Sequence, residues 1–204
     1  MSSLLLRGFA LGFAIAASPG PIFFLCLRRT LVRGWVHGLV SGFGVATADG
    51  FYAAVAAFGV GAIAIVLTGE RRWLALAGGV LLVLLGMRIV LEKPKPAEAI
   101  SNGAGLAFDY VSTFGLTIAN PATIISFAAL AATLGAGIAE GFLRPALLVV
   151  GVLLGSLTWW SVLAALAASL RTRITPRVVR GISVISGLAV IALGAAAFVS
   201  ALGI

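Results

Sequence analysis

Charged residues are scarce in this chain of 204 residues. They make up 10% of the sequence, against roughly 25% in an ordinary soluble domain, whereas 61% of the residues are hydrophobic and the mean hydropathy is +1.18. These values exclude an ordinary soluble domain and predict an all-α polytopic membrane protein. The formal charge of +8 comes from basic residues at the ends of apolar segments, so it predicts orientation and contact with membrane lipid, and no nucleic acid as a partner.

Cysteine and histidine are rarer still, with one of each, Cys26 and His37. A single cysteine excludes an intrachain disulfide and a relay between paired thiols, so we expect Cys26 to serve packing. His37 follows the first apolar segment, where we expect a hydrogen-bonded surface group. One histidine and six scattered acidic residues do not supply a metal site, and no phosphate-binding loop occurs. The sequence therefore predicts no metal, no cofactor and no enzyme.

Six apolar segments predict six transmembrane helices. They cover about residues 4–27, 38–67, 73–91, 105–134, 145–170 and 178–202. A polar stretch after the third segment divides one integral membrane domain into a three-helix repeat at 1–91, a cytoplasmic linker at 92–104 and a second three-helix repeat at 105–204. More basic residues fall on the cytoplasmic side if both termini lie outside, so we predict that orientation.

Two of these segments contain residues that interrupt a helix. Proline lacks the backbone N–H and clashes with the preceding turn, and in lipid such breaks are tolerated only where protein or a water-filled cavity covers them. The interrupting motifs, half the chain apart, are Ser18-Pro19-Gly20-Pro21 and Asn120-Pro121. Because three helices cross the membrane an odd number of times, the second unit is upside down, and we predict two inverted repeats with broken helices 1 and 4. A proline kink that only shapes packing is the alternative.

Asp49 is the one charged residue between positions 40 and 67 of the second apolar segment. A carboxylate there costs about 2.5 to 3.5 kcal/mol on insertion scales, so it is a functional candidate by default. It can hold the ammonium of a substrate or carry a proton for antiport; a buried ion pair or a hydrogen bond to a backbone break is the structural alternative. Asn120, or the helix starts that follow the prolines, can bind the carboxylate of the same zwitterion.

The remaining candidates have structural interpretations beside the functional one. Asp109 lies near the start of the fourth segment, where we expect the membrane interface, and Arg88 lies near the end of the third, where it can reach the headgroups or pair. Both are secondary candidates for the site, together with Ser18. Small residues at a spacing of four let helices approach closely and predict packing. The glycines assigned to packing are Gly34, Gly38, Gly42 and the nearby Gly44.

The order of these motifs resembles the lysine exporter (LysE/RhtB) family of amino-acid translocators over nearly the whole chain. The matching features, besides length and segment number, are Pro19-Gly20-Pro21, Gly34, Gly38, Gly44, Asp49, Gly59 and Asn120-Pro121. The resemblance implies export of amino acids or related small metabolites across the bacterial cytoplasmic (inner) membrane, driven by the proton gradient. Many members place a lysine after Asn-Pro, whereas this chain has Ala122.

The sequence therefore leads to the hypothesis of a secondary transporter that works by alternating access around Asp49 and the two helix breaks. The runner-up is an efflux transporter for heavy metals or other cations, which the lack of thiolate pairs and carboxylate clusters disfavours. A membrane redox or assembly protein is a third alternative, and the single Cys26 disfavours electron relay. The glycine-rich helix faces leave a homodimer open.

Overall fold

The computed structural model describes residues 2–18, 20–58, 103–134, 141–171 and 175–202, with single positions between 76 and 91. Over these residues the chain is helical and contains no strand, so the all-α prediction is confirmed. Most of the predicted third segment and linker, and also Pro19, Gly59 and Arg88, lie outside the described residues. The seven helices of the described part are α1 (Ser2–Ala16), α2 (Pro21–Arg33), α3 (Trp35–Ala57), α4 (Gly103–Ile118), α5 (Pro121–Leu134), α6 (Leu143–Leu170) and α7 (Pro176–Leu202).

The first predicted span consists of two helices, α1 and α2, bent by 80° at the break between them. Gly20 precedes α2 in an extended conformation (φ −153°, ψ −176°) and Pro21 is the first helical residue. Proline fits this position because the first N–H groups of a helix have no partner within it. The first apolar segment was predicted to end near Arg28, whereas α2 continues to Arg33. The helix extends further because the arginines in its last two turns bind polar partners on other helices.

Two described helices, α3 and α6, are each long and apolar enough to cross a membrane. The bent pair of α1 and α2 makes a third candidate span if the two are counted as one. The fourth predicted span likewise consists of two helices, α4 and α5, separated by Ala119 and Asn120. Both predicted breaks are therefore interruptions between helices.

Glycines bring the helix backbones close together. A Cβ atom on Gly12 of α1 would overlap the Val152 carbonyl of α6, and one on Gly155 of α6 would overlap the Phe9 carbonyl of α1. Along α3, added Cβ atoms would meet a different neighbour at each position. Gly38 faces Thr30, Gly42 faces Trp160, and Gly44 faces Thr113 and Tyr110.

Gly34 lies between two helices, unlike Gly38, Gly42 and Gly44, which lie within α3. It separates α2 from α3 with φ +103° and ψ +175°, a backbone conformation that side chains disfavour. The space where its Cβ would lie is bounded by the Arg171 guanidinium. Gly34 therefore allows the sharp connection between two helices.

Five helix termini meet at one end of the bundle, which we call the basic end. The end of α2 contacts the end of α6 through a hydrogen bond of 3.2 Å from Arg171 Nη2 to the Val32 carbonyl. It contacts the start of α7 through a 3.1 Å hydrogen bond from Arg28 Nε to Ser183 Oγ. The starts of α3 and α4 join the same group through Arg29, described below. Of the described arginines, Arg28, Arg29, Arg33, Arg171, Arg177 and Arg180 belong to these termini.

The close approach of α1 and α6 predicts that Gly12→Ala destabilises the protein. The added methyl group would overlap a backbone carbonyl that cannot rotate away, and overpacking of this kind costs about 1–3 kcal/mol. Gly115→Ala in α4 is the matched control, because no heavy atom lies within 4 Å of its added Cβ. Thermal unfolding of the purified protein in detergent measures both. Equal unfolding temperatures for the two variants would contradict the close packing.

Candidate functional site

A cavity of about 150 Å³ lies where the two helix breaks meet. Its wall includes Ser18, Gly20 and Pro21 from the first break and Asn120 from the second. Asp49 of α3 and Trp160 of α6 also line the cavity. The structure thus brings together most of the residues that the sequence assigned to the site, and Pro121 starts α5 directly beside them.

Asp49 lies in the middle of α3 with 2% of its surface exposed. The hydroxyl of Ser156 on α6 donates a hydrogen bond of 2.7 Å to its Oδ2 atom. No arginine or histidine of the described residues forms a salt bridge with it. A buried carboxylate with a neutral hydroxyl as its partner, in the wall of a cavity, is a natural site for a small cation or a proton.

Asn120 uses its side-chain amide to start helix α5. Its Oδ1 accepts a hydrogen bond of 3.1 Å from the Ala122 N–H, and its Nδ2 donates one of 3.0 Å to Thr123 Oγ1. This is the arrangement of an N-cap residue followed by proline at the first helical position. The amide, which the sequence offered to a carboxylate ligand, is engaged in holding the break in shape.

The start of α2 differs from that of α5 because Gly20 has no side chain with which to cap it. No side-chain hydrogen bond caps this terminus, and Ile22 and Phe23 of its first turn line the cavity. A helix N-terminus carries partial positive charge and N–H groups without partners in the helix. The start of α2 is therefore the part of the wall best suited to an anion.

A second polar group, which we call the Asp109 cluster, lies at the basic end and comprises Asp109, Arg29, Arg33 and His37. Asp109 Oδ1 lies 3.2 Å from Arg29 Nε and 3.0 Å from Arg33 Nη1, and its Oδ2 lies 2.5 Å from His37 Nδ1. The Asp109 side chain is fully buried and His37 is 6% exposed. The expectation of a surface position for His37 was wrong. Asp109, which was expected at the membrane interface, is enclosed by protein. Both are buried because helices that are far apart in sequence pack around them.

Arg29 connects three helices through this cluster. Its guanidinium donates hydrogen bonds to the Asp109 carbonyl (2.9 Å) and Ser112 Oγ (2.8 Å) of α4, and to Ser41 Oγ of α3 (3.0 Å). It also lies over the Phe108 ring at 5.9 Å from the centroid. The sequence contained no signal for the contacts with α4, because those partners are about 80 residues away from Arg29 along the chain.

The Asp109 cluster is separate from the cavity. His37 and Asp49 are both in α3, twelve residues apart, which corresponds to about 18 Å along the helix axis. Cys26 of α2 lies between the two sites, one turn from the cavity residue Ile22 and one turn from Arg29. It is buried in a packed group with Val45 and Ala46 of α3. A layer of protein therefore divides the cavity from the basic end.

Comparison with known proteins gives one family and one curated relative. The family model of LysE type translocators matches residues 13–201. A protein of Bacillus subtilis (strain 168), named "Putative amino acid efflux protein YcgF", is 24% identical over 198 residues, which cover 94% of this chain and 93% of that protein. No solved structure matches the chain.

The capping role of Asn120 predicts that Asn120→Ala lowers stability by about 1 kcal/mol, the usual cost of losing an N-cap side chain. Asn120→Asp is the matched control, since an aspartate keeps the oxygen that accepts the Ala122 N–H. The measurement is thermal unfolding of both variants beside the wild type. If alanine and aspartate at this position unfold at the same temperature, the side-chain cap does not stabilise α5.

Proposed function

This chain belongs to the LysE type translocator family, and we propose that it exports amino acids or related small metabolites from the cytoplasm in exchange for protons. The family membership confirms the resemblance found in the sequence, and it makes the protein a membrane transporter and not an enzyme. The substrate type, the coupling ion and the transport mechanism go beyond the family membership and belong to the proposal.

The observation that carries the proposal is the convergence of Asp49 and both helix breaks on one cavity. An amino acid carries an ammonium and a carboxylate a few ångströms apart. The Asp49 carboxylate suits the ammonium, and the uncapped start of α2 suits the carboxylate. Both poles of the substrate thus have a complementary group in the same cavity.

Coupling to protons follows from the single carboxylate in this arrangement. Asp49 has a neutral hydroxyl as its described partner, so its charge is available either to a proton or to the substrate's ammonium. The two ligands compete, because a protonated carboxyl no longer attracts a cation. Binding of a proton from outside would therefore release the substrate, and release of that proton inside would allow the next substrate to bind. This competition couples the entry of a proton to the exit of a substrate molecule.

For the membrane arrangement we retain the predictions from the sequence. We propose six spans in two inverted repeats, at 1–91 and 105–204 around the linker at 92–104, in the bacterial inner membrane. The arginines of the basic end favour the cytoplasm for that end, with both termini outside. Exposed apolar side chains such as Val111, Ile125 and Leu166 then face lipid, and a homodimer remains a prediction of the sequence.

Alternating access requires that the cavity open to each side in turn. We propose that the two repeats rearrange around the cavity, with the breaks between α1 and α2 and between α4 and α5 as the places where the helices change direction. With the basic end on the cytoplasmic side, as we propose, the layer around Cys26 and Val45 and the Asp109 cluster would lie between the cytoplasm and the cavity. We propose that this conformation is the one closed toward the cytoplasm.

The proposal predicts that Asp49→Asn abolishes proton-driven export. An amide has nearly the size of the carboxylate but can neither hold an ammonium by charge nor carry a proton. The measurement is efflux from proteoliposomes that are loaded with a mixture of amino acids and given a pH gradient. We expect the wild type to release one class of amino acid and the variant to leak at the rate of protein-free liposomes.

Ser156→Ala is the companion variant. It removes the hydroxyl that bonds Asp49 but leaves the carboxylate, so export should be weakened and not lost. Size-exclusion profiles and unfolding temperatures establish that each variant is folded. Unchanged export by folded Asp49→Asn would remove this residue from the mechanism. Release of no amino acid by the folded wild type would reject export of this pool, and metal cations would be loaded next.

A further inference from the structure

In the Asp109 cluster, one carboxylate is shared by three basic side chains, which is more than is needed to hold the helices together. Asp109 Oδ1 accepts a hydrogen bond from Arg33 and forms an ion pair with Arg29, while Oδ2 is paired with His37. The two arginines belong to α2, His37 belongs to α3, and the carboxylate belongs to α4. The charged links from α2 to α4 in the described structure therefore pass through a single carboxylate oxygen.

Helix α2 is suited to move as a unit. It is a short helix of 13 residues with a glycine at each end, Gly20 at the break and Gly34 at the connection to α3. Gly34 already has a positive φ, and Gly20 has no heavy atom within 4 Å of the place where a Cβ would lie. The cavity wall at Ile22 and the arginines of the cluster are at opposite ends of this one helix.

We propose that Arg29 and Arg33 form a binding site for the carboxylate of the amino acid that enters from the cytoplasm, and that Asp109 occupies this site until the substrate displaces it. Displacement removes the carboxylate that bridges α2 and α4 and opens the route past Cys26 to the cavity. It leaves Arg29 its hydrogen bonds to the Asp109 carbonyl and Ser112. The inference rests on the proposed function, because it takes the basic end to be the cytoplasmic side and an amino acid to be the substrate.

The chemistry favours an exchange of carboxylates over a simple opening. A buried guanidinium that loses its only carboxylate is left with an uncompensated charge, which strongly destabilises the structure. An incoming carboxylate removes this cost, because it can accept a charge-assisted hydrogen bond from Arg33 and pair with Arg29 as Asp109 does. Asp109 in turn keeps a partner, since His37 is bonded to its other oxygen. Each charge thus remains paired while the helices separate.

The partial exposure of Arg33 gives the substrate a place to begin. Its side chain is 17% exposed, whereas that of Arg29 is 4% exposed and lies behind it toward the cavity. A carboxylate from the cytoplasm would meet Arg33 first and then Arg29. From there the substrate would pass along α2 to the uncapped start of the same helix.

The chain carries its own reporter for this motion in Cys26. It is the sole cysteine of the sequence, it is buried, and it lies on α2 between the cluster and the cavity. Opening of the cytoplasmic route would expose its thiol to water. The rate at which a membrane-impermeant maleimide labels Cys26 from the cytoplasmic side therefore measures opening directly, without any transport.

The experiment uses the full-length wild type in proteoliposomes with alanine, threonine, leucine and lysine, each compared with its own carboxamide. A carboxamide keeps the ammonium but has no carboxylate. We expect the transported amino acid to raise the labelling rate about tenfold, equivalent to a shift of about 1.4 kcal/mol in the opening equilibrium, and its carboxamide to have no effect. Equal acceleration by amino acid and carboxamide would overturn the proposal.

The matched variants are Asp109→Asn and Asp109→Glu. Asparagine removes the charge that holds α2, so Cys26 should be labelled about tenfold faster without any amino acid, and amino acids should add nothing. Glutamate keeps the charge and should keep labelling slow. Arg33→Gln, at the more exposed arginine, gives the same test with an intermediate rate if Asp109→Asn does not fold. Labelling of folded Asp109→Asn and Arg33→Gln at the wild-type rate would overturn the proposal.

Export measured on the same proteoliposomes separates this inference from the proposed function. Asp49→Asn should lose export yet keep the acceleration of Cys26 labelling, because the carboxylate site lies before the cavity. Export of an amino acid that does not accelerate labelling would overturn the carboxylate site and keep the proposed function. Acceleration by amino acids that are not exported would keep the site and contradict the proposed function.

Discussion

The rest of the structure depends on the need to satisfy the backbone wherever a helix is interrupted inside the membrane. An unpaired N–H or carbonyl group in lipid costs several kcal/mol, so the chain can break a helix only where protein or a cavity covers the break. The two breaks in this chain meet this requirement together, because they face the same cavity. Asn120 caps one of the two helix starts with its side chain, whereas Gly20 leaves the other uncapped. At the cavity wall, the start of α5 is therefore capped by a side chain, whereas the backbone N–H groups at the start of α2 can bind a ligand.

Glycine packing sets which parts of this arrangement are held and which are free to move. The glycines of α1 and α6 place the two backbones in contact, so α1 is held against the longest described helix up to the break. On the other side of Gly20, α2 packs its buried residues Leu25 and Cys26 against other helices, and its far end is tied to its neighbours by arginine side chains. Side-chain ion pairs can change partners, whereas interlocked backbones cannot. The break at Gly20 thus separates a fixed helix from one with exchangeable contacts.

Sequence reasoning reached the features whose causes are local. Proline and glycine act within a residue or two, so both helix breaks could be located, and the cost of a charge in an apolar segment singled out Asp49. Asn120 was assigned to a substrate carboxylate, whereas the structure shows its side chain capping α5. The Asp109 cluster could not be found in this way, because its partners are 72 to 80 residues apart in the chain and only the packing of α2, α3 and α4 brings them together. Ser156, the partner of Asp49, is 107 residues away for the same reason.

Asp49 and Asp109 have nearly the same burial, yet their surroundings give them opposite roles. Asp109 is enclosed by two guanidinium groups and an imidazole, so its negative charge is compensated within the protein and serves to join helices. Asp49 has a neutral hydroxyl from Ser156, so among the described residues its charge has no cationic partner. A buried carboxylate in that position gains most from a cation that the protein does not provide. The difference between these two aspartates, and not the burial that they share, is why we propose the cavity at Asp49 as the place where an ammonium group or a proton binds.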